Sequence, residues 1–281
     1  VIHGEAPARS PHRAPMDEIL SIIEVPEGLK PLLPRKWEKL GDVLILRIPD
    51  PLEDYQTEVA RCYGRILGAR TVCRELGGIS GVYRLPRMEM LVGEDTSTAH
   101  LENGIVYHMD VSKVMFSSGN IDERHRMGEL DCRGETVVDM FAGIGYFTLP
   151  LAVHSGASRV ISCEINPLAR EYLERNIRAN GVEDQVEIFP GDNRDLGGSD
   201  WADRVVMGYV GTTHLHLPKA IEVLRDGGVL HYHETCSVDR PEGPLDTIRR
   251  HADSVEVLGL REIKSYAPAV SHMVADCRIW K

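Results

Sequence analysis

Asp139-Met140-Phe141-Ala142-Gly143-Ile144-Gly145 stands where an apolar β run ends and a helical pattern begins, and its reading decides the fold. Glycines at such a junction let the backbone approach a nucleotide-like ligand at the carboxyl edge of a sheet. A dinucleotide fingerprint would want a third glycine or alanine three positions on, where this chain has Thr148, and no pyrophosphate-cradling turn is present. An acid also ends the next β run: Glu164 is 19 positions after Gly145, placed to accept hydrogen bonds from both hydroxyls of a ribose. Asp192-Asn193 follows the third run, where a carboxylate and an amide can read an adenine edge. Asp139, Phe141, Ala142, Gly143 and Gly145, with Glu164, Asp192 and Asn193, fit an S-adenosylmethionine site better than a dinucleotide site. Each glycine or acid taken alone also has a plain explanation in turn geometry or a helix cap.

Outward from that stretch the pattern is regular. Apolar runs at 136–141, 159–164, 186–189, 204–210 and 228–234 alternate with amphipathic helices, the signature of a parallel sheet with crossover helices. Pro167 opens one helix, which Asn180-Gly181 closes. Two late runs, 255–266 and 272–280, suit an antiparallel closing hairpin. Residues 132–281 therefore read as a doubly wound, Rossmann-like α/β domain. Upstream, a run at 43–48 precedes a helical pattern at 53–67 closed by Gly68. Short strands at 71–74, 82–85, 88–92 and 105–109 follow, separated by Gly77-Gly78, Gly93 and Glu102-Asn103-Gly104. This is a small α+β domain at 31–131, behind an N-terminal extension at 1–30 whose first fifteen residues have the composition of a disordered segment.

With 42% hydrophobic residues among 281, the chain has material for a sizeable core, which excludes disorder as its main state. Its 32 basic and 43 acidic side chains give a net charge of -11, so a nucleic-acid partner must be met by a local patch. Only residues 30–90 are net positive, with 11 basic against 8 acidic side chains, and Arg61, Arg65, Arg70, Arg74, Arg84 and Arg87 supply guanidinium groups there. A solvated helix face has the same composition. No apolar run approaches the roughly 20 residues of a membrane helix. Six cysteines without a CxxC pair read as free thiols of a reducing compartment, so a cytoplasmic enzyme is expected. His214-Leu215-His216 and His231-Tyr232-His233 raise a metal-dependent hydrolase as a rival. Against it, the first pair straddles a loop and helix start, and Glu234 points away from its histidine neighbours; no metal is expected.

Val114-Met115-Phe116-Ser117-Ser118-Gly119-Asn120 with Glu123-Arg124, Gly78-Ile79-Ser80-Gly81 and Glu102-Asn103-Gly104 together resemble the class I methyltransferase-fold enzymes that act on position 37 of tRNA. The resemblance runs from about Leu33 onward. In that family the first stretch is usually Phe-Ser-Pro-Arg or similar, followed by Glu-Arg. The branch that methylates N1 of guanine usually shows Asn-Leu-Pro or Asn-Pro-Pro after strand four. Here the stretch is Met207-Gly208-Tyr209-Val210-Gly211-Thr212-Thr213-His214, which with Gly228 to Glu234 resembles the aminocarboxypropyltransferase branch of wybutosine synthesis.

The resemblance implies transfer of the 3-amino-3-carboxypropyl group of S-adenosylmethionine to the 4-demethylwyosine base of tRNA-Phe. Ser117 and Arg124 would hold the methionyl end, Glu164 the ribose, and Asp192 and Asn193 the adenine. Tyr209, His214 and Glu234 are candidates for orienting the base, and none stands out as a general base. The additional N-terminal tRNA-binding domain of some methylating relatives has no room here, so recognition is expected to lean on the anticodon stem-loop. The alternatives are a guanine-37 N1-methyltransferase and a noncatalytic RNA-binding protein of the same fold.

Overall fold

Contacts in the computed structural model, which describes residues 14–81 and 83–281, divide the chain into two units. One runs to Ser80 and takes in Pro86–Thr98; the other comprises Gly81–Leu85 and Ala99–Lys281. The division falls at Thr98, ahead of the boundary near 131 that the turn signals suggest.

The smaller unit contains α1 (Pro15–Ile22), β1 (Trp37–Leu40), β2 (Val43–Leu46), α2 (Gln56–Leu67), β3 (Thr71–Ser80) and β4 (Leu85–Val92), with sheet order β1-β2-β3-β4. β1 and β2 are antiparallel, whereas β2 and β3 are parallel, joined by α2 as the crossover. α2 ends at Gly68, whose φ of +64° is a left-handed cap open to glycine without steric cost. The helix buries Val59, Ala60, Cys62 and Tyr63, and the Tyr63 hydroxyl donates to the Pro34 carbonyl at 2.7 Å. Its other face leaves Arg61 and Arg65 exposed.

Three expectations are corrected in this region. Residues 15–30 are not an extension: α1 and a 3-10 turn at Glu27–Leu32 belong to the unit, and Ile19, Ile23 and Val25 lie in its core. Val1 to Arg13 lie outside the described residues. Two of the six arginines are engaged within the unit, Arg70 by Asp42 at 2.8 Å and buried Arg74 by Gln56 at 3.0 Å and by Glu53 at 3.4 Å. Of the short strand at 82–85, Val82 lies outside the described residues and Tyr83-Arg84 form a turn ahead of β4.

The larger unit takes up the hairpin β5 (Ser97–Glu102) from Ala99 onward and β6 (Ile105–Asp110), then α3 (Ile121–Glu129), β7 (Thr136–Asp139), α4 (Thr148–Val153), β8 (Arg159–Glu164), α5 (Pro167–Ala179) and β9 (Val186–Pro190). It closes with β10 (Ala202–Met207), α6 (Leu217–Val223), β11 (Leu224–Ser237), α7 (Gly243–Arg249), β12 (Ser254–Ala267) and β13 (Val270–Trp280). Seven strands lie in the order β12-β13-β11-β10-β7-β8-β9, and β13 alone runs antiparallel between β11 and β12. This is the doubly wound sheet with a closing hairpin that the periodicity predicts.

The strand alternation splits the sheet into two unlike faces. Val138, Met140, Val205, Met207, Leu230, Tyr232, Ala275 and Cys277 pack an apolar layer under α6 and α7. The other face mixes buried polar groups with valines: Asp139, Ser162, Arg204, His231, His233 and Asp276 lie there in register with Val137, Val160, Val206, Val229 and Val274. Beneath that face α5 holds the β6 edge through two asparagines one turn apart. Asn176 bonds the backbone of His108 through both amide ends (2.7 and 3.2 Å), and Asn180 does the same at Val106 (2.9 and 2.8 Å). Four helical residues rise about 6 Å and two strand residues about 6.6 Å, so the pair reproduces a neighbouring strand. This ties residues 105–110 to the larger unit and explains the early division.

Candidate functional site

β7 pairs with β8 on one side and β10 on the other, so the chain leaves β7 where strand order reverses and a crevice opens at the carboxyl edge. The turn extends both ladders, with Met140 N donating to Val206 O and Ala142 N to Cys163 O, each at 3.0 Å. Gly143 and Gly145 have φ of +58° and +107°. A Cβ on Gly143 would fall 2.2 Å from the Tyr146 ring, and one on Gly145 2.8 Å from Leu149. These glycines are demanded by the packing of the segment that follows as well as by the turn.

Asp139 shapes this turn from below. It is fully buried; Oδ2 accepts from Thr148 N (3.0 Å) and Oγ1 (2.8 Å), and Oδ1 from Phe141 N (3.2 Å). Burial pushes its carboxyl up to about 6 against these bonds. As a ligand contact Asp139 is therefore corrected: its acceptors are turned into the protein.

Glu164 closes the turn from β8. Oε2 accepts from Gly143 N and Oε1 from Asn166 N, both at 2.7 Å, while burial raises the carboxyl. Each carboxylate oxygen has a second acceptor direction, so two hydroxyls can still be received. Asp192 accepts from the Arg194 guanidinium at 2.9 and 2.5 Å, which holds its carboxyl at about 2. Asn193 is turned inward: Nδ2 donates to Met140 O, and Oδ1 meets His216 Nδ1, each at 2.6 Å. Its side chain thereby braces the end of β7 against the 3-10 turn at Thr213–His216. The Phe141 ring stacks on Tyr209 (4.9 Å, 17°) and meets His216 edge-on (5.0 Å, 75°). Tyr209 is thus brought to the glycine turn.

Arg124 lies beside Ser117, as the resemblance groups them, but much of its guanidinium is engaged within the protein. Its side chain is 2% exposed, forks onto Glu102 at 2.6 and 2.7 Å, and lies 4.5 Å from the Phe116 ring centre. It also donates to the Ser117 carbonyl at 2.7 Å, so three of its five N–H groups order Glu102 and that backbone. Ser117 does lie beside the turn. The Tyr146 hydroxyl donates to the Met115 carbonyl, and Lys264 Nζ donates to Ser117 Oγ at 3.1 Å.

His214 and Glu234 lie apart from these groups. Glu234 accepts from Gly211 N (3.0 Å), Thr235 N (2.9 Å) and the Tyr232 hydroxyl (3.1 Å), with His214 Nδ1 at 3.6 Å. They line a groove of about 690 Å³ between the segment before α6 and α7, which none of the glycine-turn residues lines. The two His-x-His pairs are also dispersed: His216 serves Asn193, His231 lies between Asp276 (2.6 Å) and Arg204 (2.7 Å), and His233 pairs with His272 (3.1 Å). Among the described residues no group of three or more His, Cys, Asp or Glu is placed to hold a metal ion, and no helix is long and apolar enough to cross a membrane.

Sequence reasoning misses Thr148, Asn166, Asn176 and Lys264. Asn166 caps α5 and donates its N–H to Glu164; Asn176 also donates to Ile144 O at 3.0 Å, fixing the middle of the turn. An Asn before Pro167 is a readable cap signal, whereas the Asn176 contact is long-range and leaves no local mark.

Comparison with known proteins matches this architecture to two family models. That for the TRM5/TYW2 methyltransferase domain covers residues 98–258, and that for the TYW2 N-terminal domain covers residues 16–96. The chain belongs to the TRM5/TYW2 family. Among its relatives, the tRNA(Phe) (4-demethylwyosine(37)-C(7)) aminocarboxypropyltransferase of Pyrococcus horikoshii is 45% identical over 269 residues, 94% of this chain and 96% of that one. The crystal structure of P. horikoshii TYW2 in complex with MeSAdo matches with a TM-score of 0.84 at 43% identity, covering 95% and 98% of the two chains. Pyrococcus abyssi Trm5b, a tRNA (guanine(37)-N(1))-methyltransferase, is 38% identical over 265 residues, 92% of this chain and 79% of that one. Its crystal structure gives a TM-score of 0.83 at 36% identity, covering 94% and 81%. Both branches of the TRM5/TYW2 family thus share this chain's fold almost equally, and their chemistry must be separated at the site.

Proposed function

We propose that this chain transfers the 3-amino-3-carboxypropyl group of S-adenosylmethionine to the 4-demethylwyosine base at position 37 of tRNA-Phe. The observation that carries the reading is the near full-length likeness, at 45% identity, to the P. horikoshii aminocarboxypropyltransferase. The Met207 to His214 stretch, which lacks the Asn and Pro of the methylating branch, agrees with it.

In this reading Glu164 receives the ribose hydroxyls, with Gly143 N–H keeping its carboxylate in place. Asp192 faces the adenine edge, held by Arg194. Phe141 and Tyr209 form an aromatic wall at the mouth of β10, suited to a flat tricyclic base. The sulfonium presents three carbons, and displacement takes place at the one held in line with the nucleophile. Attack by C7 on the γ-methylene forms a carbon–carbon bond as the carbon–sulfur bond breaks. Sulfur keeps the electron pair, neutral methylthioadenosine leaves, and the C7 proton passes to solvent. Rate comes mainly from positioning, and no metal is required.

The tRNA is met by its anticodon stem-loop, with exposed Arg61 and Arg65 on α2 facing phosphates. The compartment is the cytoplasm, where the reduced cysteines are at home. N1-methylation of guanine 37 is the second reading, favoured by the likeness to Trm5b. Two labels separate them. With S-adenosylmethionine labelled at the carboxyl carbon, radioactivity enters tRNA-Phe; with the label in the methyl group it stays in the small molecule. The reverse pattern would make the chain a methyltransferase.

A further inference from the structure

A base drawn from an RNA loop into a crevice brings its two flanking phosphates with it, and these need donors that no carboxylate already holds. The larger unit has such donors beside the aromatic wall of Phe141 and Tyr209, in the groove that His214 and Glu234 line together with Arg250 and His251. We infer that this groove, of about 690 Å³, binds the nucleotide next to the target base, with Arg250 gripping the phosphate that joins the two. The inference rests on the transferase reading and adds to it a place for the RNA backbone.

The loop that leaves β10 connects the wall to the groove. Tyr209 stacks on Phe141, Gly211 lines the groove, and two residues of chain span at most about 7 Å. Thr213 Oγ1 donates to the Tyr209 carbonyl at 2.8 Å, which holds the two ends of this loop in one arrangement. A Cβ on Gly211 would meet nothing within 4 Å, so a strand of RNA finds the backbone open there. Across the groove the arginines around α7 differ in their commitments. Arg240 and Arg249 pair with Asp246 at 3.6 and 3.7 Å. Arg250 pairs with no carboxylate among the described residues: its Nη2 donates to Thr247 Oγ1 at 3.0 Å, and the rest of its fork remains for a phosphate. His251 Nδ1 donates to the Thr247 carbonyl at 3.0 Å, which leaves Nε2 for a ligand. Glu234, the carboxylate that lines the groove, already accepts from Gly211 N, Thr235 N and the Tyr232 hydroxyl, so these donors offset part of its charge before a phosphate arrives. Leu215, 55% exposed, and Pro218 give an apolar surface for the face of a base.

The test is binding of the full chain to an anticodon stem-loop that carries 4-demethylwyosine, with the linkage on either side of that base made neutral as a methylphosphonate. In the wild-type chain one of the two neutral linkages should weaken binding about ten- to a hundredfold, the worth of a charge-assisted hydrogen bond. Arg250→Ala should weaken the fully charged RNA by a similar factor and be indifferent to that linkage. Arg250→Lys should recover part of the loss. Arg249→Ala, whose guanidinium is held by Asp246, should bind RNA as the wild type does, and S-adenosylmethionine affinity should stay unchanged in all three variants. Indifference of the wild-type chain to both neutral linkages, unchanged RNA affinity in Arg250→Ala, or an Arg250→Ala chain that still loses the full factor on the neutral linkage overturns the assignment. A wild-type chain that binds none of these RNAs overturns the transferase reading with it, whereas S-adenosylhomocysteine released on the same RNA overturns that reading alone.

Discussion

Arg124 and Glu102 face each other through two hydrogen bonds of 2.6 and 2.7 Å, with side chains only 2% and 8% exposed. Burial alone would raise the Glu102 carboxyl, but the hydrogen bonds and charges of Arg124 and His100 bring it down to about 2 from an ordinary 4.5. The pair welds the end of β5 to α3 and orders the Ser117 backbone.

Removing one partner strands a buried charge, so Arg124→Ala should cost about 3–5 kcal/mol in chemical denaturation, and the double change Arg124→Met with Glu102→Leu clearly less. The pH course follows from a depressed carboxyl. Its contribution is complete above about 4.5 and is lost as pH falls towards 2. Arg124→Ala should lack that part of the acid transition. A variant as stable as wild type would mean the pair is not formed.

Asp139 acts in the opposite sense. Its folded carboxyl, near 6 against an ordinary 3.8, holds its proton where the unfolded chain has released it. Stability from this group therefore falls as pH rises from about 4 to 6. Asp139→Asn should remove that slope in urea unfolding followed across this range, at a cost of about 1–3 kcal/mol for turning an amide towards Phe141 N–H. An unchanged slope would show that the carboxyl is not buried as described.

Glu164 serves the fold and the ligand at once. Glu164→Ala leaves Gly143 N and Asn166 N without their acceptor, which should lower stability without ligand by about 1–3 kcal/mol. The thermal shift produced by S-adenosylmethionine should disappear in the same variant. A full shift retained by the variant would remove Glu164 from the ribose site.

The glycine turn, the acid after β8 and the strand order are legible because each follows from local signals: period-2 apolar runs, Pro167 after Asn166, and glycines where φ is positive. β8 spans the residues its apolar run marks, while β11 extends beyond both ends of its run: towards Ser237 because antiparallel pairing with β13 continues there, and back to Leu224, which pairs with Ala202 of β10. Sequence alone does not show the Arg124 ion pair because nothing near Arg124 announces Glu102, 22 positions away across the hairpin turn. The bracing bonds of Asn193 are hidden for the same reason: its partners Met140 and His216 come from elsewhere in the chain. The helix α1 is hard to read because eight residues with two acids and a proline carry little periodicity.

Docking on tRNA should be strongly salt dependent. Arg61 and Arg65 lie four apart on an exposed helix face, and each phosphate deprived of its guanidinium should reduce the slope of log affinity against log salt by about one. The double variant Arg61→Ala with Arg65→Ala should flatten that slope in filter binding while leaving S-adenosylmethionine affinity intact. Equal slopes in wild type and variant would take α2 out of the tRNA surface.

The most direct test of the central claim is mass spectrometry of both products after incubation with S-adenosylmethionine and tRNA-Phe bearing 4-demethylwyosine, with unmodified tRNA-Phe in parallel. The expected products are methylthioadenosine and an aminocarboxypropyl mass gain at position 37, confined to the tRNA that carries the tricyclic base. S-adenosylhomocysteine with a methyl gain on the unmodified tRNA would contradict that claim and place the chain in the methylating branch.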